Sequence, residues 1–244
     1  MATARRAAKT TAPPARYRPA VIAGGLIIIV LLVAIVVVIV RAAGEPAAAP
    51  VTTPSGGVVA PAVATTAGAV AVGDTAAPVR VEVFLDYMCP FCGRFDRANS
   101  SELRRLVQDR TVRLEVYPLA FLDDMSQNTQ YSSRAANAAA TVADRAPDRF
   151  LAFSEALFAD QPAEGTKGLA DEQIADRART AGVPEQVVAV FTDRLFAAWV
   201  ARSTATVLDG QIEGTPTVRI DGTRFDGDLY TAGPLTQAVI AAKG

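Results

Sequence analysis

The chain predicts an α/β fold with an inserted helical subdomain, preceded by one transmembrane helix. Three observations carry this. Ala20 to Val40 contains no charged or strongly polar side chain. Beyond residue 68, strand-like and helix-like segments follow in the order β-β-α-β, a helical block, then β-β-α, the pattern of a sheet-and-helix unit interrupted by helices. Val79–Leu85 is apolar on both of its faces, which suits a central, covered strand.

The apolar run of 21 residues matches the length a helix needs to cross about 30 Å of hydrocarbon. It is longer than a signal-peptide core, so retention is expected, although Ala42-Ala43-Gly44 imitates a cleavage site. Arg5, Arg6, Lys9, Arg16 and Arg18 precede the run without an acidic residue among them, and only Arg41 flanks it closely on the far side. The positive-inside rule then leaves residues 1–19 as a cytoplasmic basic tail and exports everything after the span of 20–40. Beside a span, topology accounts for these basic residues without nucleic-acid binding. The net charge of −1 says little about partners. Residues 41–67 are rich in Ala, Pro and Thr and nearly free of charge, and they read as an extended tether.

The remaining 68–244 has the mix of apolar and charged positions expected of one domain with a sizeable core. Ala69–Val72 is a short first strand closed by Gly73-Asp74, and Val79–Leu85 is the second. A helix starts at two cysteines and runs towards Gln108, with Leu103, Leu106 and Val107 on one face. Val112–Leu119 is the third strand. The helical insertion, at about 125–209, contains Ser132–Asp144, Asp148–Phe158, Ala170–Ala181 capped by Gly182, and Glu185–Leu208 with a break near Thr192. A hairpin follows, Thr217–Ile220 and Thr223–Phe225 about a turn at Asp221-Gly222, and Pro234 opens a last helix through Ala242.

The only two cysteines stand in Asp86-Tyr87-Met88-Cys89-Pro90-Phe91-Cys92-Gly93. A strand delivers the first sulfur to the end of a sheet, and a helix begins there. The unpaired N–H groups and positive dipole end of that helix stabilise a thiolate. The spacing lets the second thiol attack a mixed disulfide formed by the first. The rival readings are weaker. A structural zinc site wants four ligands, and the chain has two Cys and no His. A purely structural disulfide would close too short a loop to restrain the unfolded chain much.

A second motif, Gly214-Thr215-Pro216-Thr217-Val218, precedes the late hairpin. A proline there sits at a strand's start, and X-Pro bonds are the ones that can be cis. A cis bond would present the carbonyl and N–H of Thr215 beside the dithiol, where they could pair with an extended substrate. Alone the motif is an ordinary turn. With Cys-Pro-Phe-Cys before it and a hairpin and helix behind it, the chain resembles the DsbA-like thioredoxin-fold oxidoreductases, in particular their membrane-tethered bacterial members. The resemblance spans about Gly73 to the C-terminus. It implies a thioredoxin-like fold, Cys89 as exposed nucleophile, Cys92 as buried resolving thiol, a cis Pro216 facing them with Thr215 alongside, and no cofactor other than the redox-active Cys89–Cys92 disulfide. The partners it implies are reduced or unfolded exported proteins and a quinone-linked membrane oxidase.

The chain departs from the strongly oxidising members, which carry His between the cysteines. With Pro90 and Phe91 there, less lowering of the Cys89 pKa is expected. Tyr87, Phe91, Pro216 and Phe225 are candidates for an apolar substrate groove. Glu82 either relays a proton to Cys92 or is paired with a cation or solvent, and Asp86 caps the helix or fixes the loop. The alternatives to disulfide donation are a reductase or isomerase of the same fold and a non-enzymatic tethered chaperone.

Overall fold

The computed structural model describes residues 57–210 and 212–244. The expected basic tail, membrane span and most of the tether lie outside the described residues, among which no helix is long and apolar enough to cross a membrane. Strands β1 (Val70–Val72), β2 (Val79–Asp86), β3 (Val112–Leu119), β4 (Thr217–Ile220) and β5 (Thr223–Arg224) form one sheet in the order β1-β3-β2-β4-β5. β2 pairs parallel with β3 and antiparallel with β4, so it is the central strand its two-sided apolarity predicted.

Between β2 and β3 runs α1 (Pro90–Gln108). The insertion consists of α2 (Tyr131–Arg145), α3 (Phe150–Ala159), α4 (Asp171–Thr180), the single turn α5 (Glu185–Val188) and α6 (Ala197–Leu208); α7 (Pro234–Ala242) closes the chain. Side-chain alternation along β2 sorts the sheet into two faces. Val81, Val83 and Leu85 join Leu114, Val116 and Val218 in the main core, which also contains both cysteines, Phe95 and Leu103 of α1, and Val239 of α7. On the opposite face Phe84 stacks on Tyr117 with ring centroids 4.1 Å apart, packed with Leu119 and with Val207 of α6.

Two sequence expectations are corrected. The tether was expected to reach residue 67, yet 57–67 belongs to the folded unit. Val58, Val63 and Ala64 pack on the core, Ala64 bridges to Val70, and the Ala62 amide donates to Asp144 at 2.8 Å. The alanines and valines that read as unstructured are small enough to lie flat on the domain. The helix expected over Glu185–Leu208 is broken more widely than at Thr192: α5 ends at Val188, a 3-10 turn occupies Phe191–Asp193, and Arg194 has a left-handed φ of 54° before α6.

Asn137 holds that break. It is fully buried on α2, donates from Nδ2 to the Phe191 carbonyl at 3.0 Å, and accepts from the Phe196 amide at 3.0 Å. The alanines around it on α2 let neighbouring backbones come this close. Asn137→Ala strands the buried Phe196 amide, at a cost of about 1–3 kcal/mol, and leaves the Phe191 carbonyl with only the Arg194 amide at 3.4 Å. The expected result is a loss of about 2–4 kcal/mol, read as a lower urea midpoint at unchanged m-value.

Candidate active site

The site is built where β2 passes into α1. Cys89 is the N-cap residue of α1, with φ −69° and ψ 116°, and Pro90 takes the first helical position, where a missing N–H costs nothing. In this position the Cys89 thiol makes no capping hydrogen bond, and the Phe91 and Cys92 amides of the first turn favour its ionised form. Both cysteines are free thiols; Cys92 is wholly buried as expected of the resolving thiol, whereas Cys89, expected to be exposed, is nearly buried too, covered by the cis-proline loop whose Thr215 carbonyl its thiol meets. The Thr215–Pro216 bond is cis, and the Cys89 thiol donates to the Thr215 carbonyl at 3.3 Å. Thus Cys89, Cys92, Thr215 and Pro216, distant in sequence, meet at the C-terminal end of the central strand.

The two sulfurs are pushed in opposite directions. The Cys89 pKa is lowered to about 6 by the Cys92 thiol, the Thr215 side chain and the backbone amides of Cys92 and Phe91, against the opposing effect of burial. The Cys92 thiol is raised well above its ordinary range by burial first and by the neighbouring Cys89 second. The lowering at Cys89 is achieved with Phe91 in the dipeptide and without a histidine. Chemically, such a pair offers one sulfur that forms and leaves as a thiolate near neutral pH and one that stays protonated until called upon.

Asp86 sits behind the loop, completely buried. Its Oδ1 accepts from the Met88 amide at 2.8 Å and the Ser132 hydroxyl at 2.7 Å, and its Oδ2 accepts from the Leu122 amide at 3.0 Å. It therefore fixes the dithiol loop to the insertion, one of the two roles its position suggested. Burial raises its pKa to about 6 despite those bonds, with a smaller contribution from the Cys89 thiolate.

Other expectations are not met. Tyr87 is not part of a groove: it is fully buried, its hydroxyl bonded to Ser154 at 3.1 Å and its ring 5.1 Å from Phe158. Phe225 is half-buried against the main core, its ring lying where a side chain at Gly227 would have to stand. Glu82 is no relay to Cys92. Alternation turns it to the sheet face opposite the dithiol core, where Tyr117 donates to it at 3.5 Å and Arg80 approaches to 3.9 Å. Phe91 is half exposed beside Cys89, as expected.

Its neighbour Tyr230 was not legible from sequence. The ring centroids lie 6.1 Å apart, and the Arg94 guanidinium stands 4.5 Å from the Tyr230 centroid. Asn99 of α1 brings Tyr230 there by donating to the Leu229 carbonyl at 2.8 Å, and Asp228 bonds the Tyr230 amide at 2.7 Å. Gln161 was also missed. Its Nε2 donates to the carbonyls of Cys89 at 2.8 Å and Tyr87 at 3.1 Å. The one sequence signal for it was Gly93, an otherwise unexplained glycine in the first turn of a helix.

A thioredoxin-type sheet ending in a cysteine pair at a helix start, with a cis-proline loop against the first sulfur, defines a thiol-disulfide oxidoreductase. The family model described as Thioredoxin matches residues 65–235, and the chain belongs to that family. Among solved structures it is similar to the reduced DsbG disulfide oxidoreductase of Mycobacterium tuberculosis, with 28% identity, a TM-score of 0.59, and coverage of 73% of this chain and 95% of that one. Reduced DsbA from the same organism gives 26%, 0.58, 72% and 100%, and the thiol-disulfide oxidoreductase MdbA of Actinomyces oris gives 25%, 0.63, 74% and 91%. The serine/threonine-protein kinase PknE of M. tuberculosis is 35% identical over 115 residues, which is 46% of this chain and 20% of the kinase; the chain thus spans a fifth of that relative. These likenesses make the protein a disulfide oxidoreductase of the DsbA type.

The opposite shifts of the two thiols have a pH signature. Alkylation of the reduced protein by iodoacetamide is expected to follow a Cys89 ionisation near pH 6, with Cys92 unmodified up to pH 8.5. Because the folded pKa of Cys89 lies below its unfolded value, its contribution to stability is complete above about pH 9 and is lost as pH falls through about 6. The melting temperature of the reduced form should therefore rise relative to the oxidised form between pH 6.5 and 8.5, which calorimetry of both forms would check.

Proposed function

We propose that this protein is a membrane-anchored, extracytoplasmic oxidoreductase that donates disulfides to exported proteins, held by the 20–40 span with residues 1–19 in the cytoplasm. The observation that carries the reading is the pairing of a stabilised Cys89 thiolate with a buried, protonated Cys92 at the start of α1. A substrate thiolate attacks the Cys89 sulfur of the Cys89–Cys92 disulfide, and Cys92 departs and takes up a proton. A second substrate thiolate then attacks the substrate sulfur of the mixed disulfide and expels Cys89. The low Cys89 pKa makes it a good leaving group for this step. Two substrate thiols become one disulfide, and the enzyme is left as the dithiol.

The enzyme needs no cofactor beyond its own cysteines, and its dithiol returns to the disulfide by passing electrons to a quinone-linked membrane oxidase. Placement outside the cytoplasm is where such a disulfide persists. The substrate lies along the cis-proline loop, with Thr215 offering backbone partners and Pro216, Phe91 and Tyr230 apolar surface. That surface is sequence-tolerant, as a catalyst of many unfolded chains requires.

Cys89→Ser is expected to abolish turnover, and Cys92→Ser, in which Cys89 can attack a disulfide-bonded substrate but no second thiol resolves the product, to accumulate mixed disulfides, seen as reductant-sensitive bands on non-reducing gels; normal turnover by Cys92→Ser would refute the mechanism. Tyr230→Ala should raise the KM for a reduced unfolded substrate several-fold while leaving the pH profile of Cys89 alkylation unchanged. The reduction potential of the pair decides direction. A value near −120 mV supports disulfide donation, and one near −270 mV favours a reductase.

A further inference from the structure

The dithiol loop is held from outside the sheet by a side chain that no part of the disulfide-exchange mechanism uses. Gln161 follows the end of α3, and its own amide bonds back to the Phe158 carbonyl at 3.3 Å. α3 is fixed against the site by Phe158 packing on Tyr87 and by Ser154 bonding the Tyr87 hydroxyl. From there the carboxamide reaches the Tyr87 and Cys89 carbonyls. Both contacted atoms are carbonyl oxygens, which only accept, so the nitrogen must face them and both of its hydrogens are used. The carboxamide oxygen then lies over Gly93, where a Cβ would collide with it. Any side chain at position 93 would have to push the Gln161 carboxamide aside, because Gln161 lies across the first turn of α1.

The Cys89 carbonyl is an unusual hub. It accepts from the Cys92 amide at 2.9 Å, from the Gly93 amide at 3.2 Å and from Gln161. Its orientation fixes the N-cap peptide, and so the direction in which the Phe91 and Cys92 amides face the Cys89 sulfur. We propose that Gln161 is a positioning residue through which the helical insertion sets the stability of the Cys89 thiolate, and with it the oxidising strength of the Cys89–Cys92 pair. This deepens the oxidoreductase reading and rests on it.

Two replacements of similar length separate hydrogen bonding from packing. Gln161→Glu keeps the shape, loses the donors at neutral pH and adds a negative charge; Gln161→Met keeps the bulk alone. On the full chain, thiolate absorbance at 240 nm would give the Cys89 pKa, and equilibration with glutathione the oxidised fraction. Gln161→Glu is expected to raise the Cys89 pKa by about one unit or more and to shift the glutathione equilibrium about tenfold towards the protein disulfide. Gln161→Met should move both the same way by about threefold.

A cycle with Gly93→Ala covers the case of a variant that does not fold. Gly93→Ala alone should imitate the loss of Gln161, whereas in a Gln161→Ala background, with the carboxamide gone, it should add little. The proposal is overturned if Gln161→Met and Gln161→Glu, folded as judged by circular dichroism, stay within twofold of the parent in both measurements, or if the two changes in the cycle are additive. If instead Cys89 is not alkylated selectively and the pair closes to no disulfide, the oxidoreductase reading fails; a dithiol that cycles normally and ignores Gln161 refutes this inference alone.

Discussion

The structure depends on the placing of one atom, the sulfur of Cys89, at the start of α1 beside the Phe91 and Cys92 amides that favour its thiolate. A helix must begin with N–H groups lacking intrahelical partners, and here the residue placed to meet them carries a thiol. The sheet exists, in functional terms, to hold that sulfur still. β2 is buried on both faces and pairs with β3 to its last residue and with β4 as far as Phe84, so the sheet holds it up to the turn that carries the sulfur. The proline at the first helical position, the carbonyl of Thr215 and the buried thiol of Cys92 each refine the surroundings of the same atom.

What surrounds this sulfur divides between the sheet and the insertion. The sheet supplies the cysteine pair and the cis-proline loop. The insertion supplies the restraints: Ser132 and the neighbouring Leu122 amide hold Asp86, and Gln161 holds the loop carbonyls. Asp86 is the less comfortable of these. Kept from water with three donors around it, it still holds its proton more tightly than an exposed carboxyl. Its ionisation and that of Cys89 oppose each other, so the site cannot carry both negative charges without cost.

Much of this was written plainly in the sequence because it follows from local chemistry. Two cysteines at a strand–helix boundary, an apolar central strand and a Gly-Thr-Pro-Thr before a hairpin need no knowledge of distant residues. The elements were legible for the same reason, and they failed where tertiary contacts decide. The break before α6 is maintained by Asn137, more than fifty positions earlier. Tyr87 looks like an exposed aromatic beside a reactive cysteine until Phe158 and Ser154 cover it. Glu82 looks like a buried acid near the site until alternation places it on the other face. Tyr230 and Gln161 reach the site from loops 130 and 72 residues away from the groups that anchor or receive them, Asn99 and Cys89.

The margins of the sheet carry a final consequence. β5 has two residues, and its Arg224 lies in ion pairs with Glu213 at 3.3 Å and Asp226 at 3.2 Å. At the other margin β1 has three residues and is overlaid by the bridge from Ala64. A long bare strand at a sheet's margin recruits other chains by backbone pairing and makes a template for aggregation. Short, charged and covered margins deny that route, which leaves the dithiol end of the sheet as the part of the fold open to another chain.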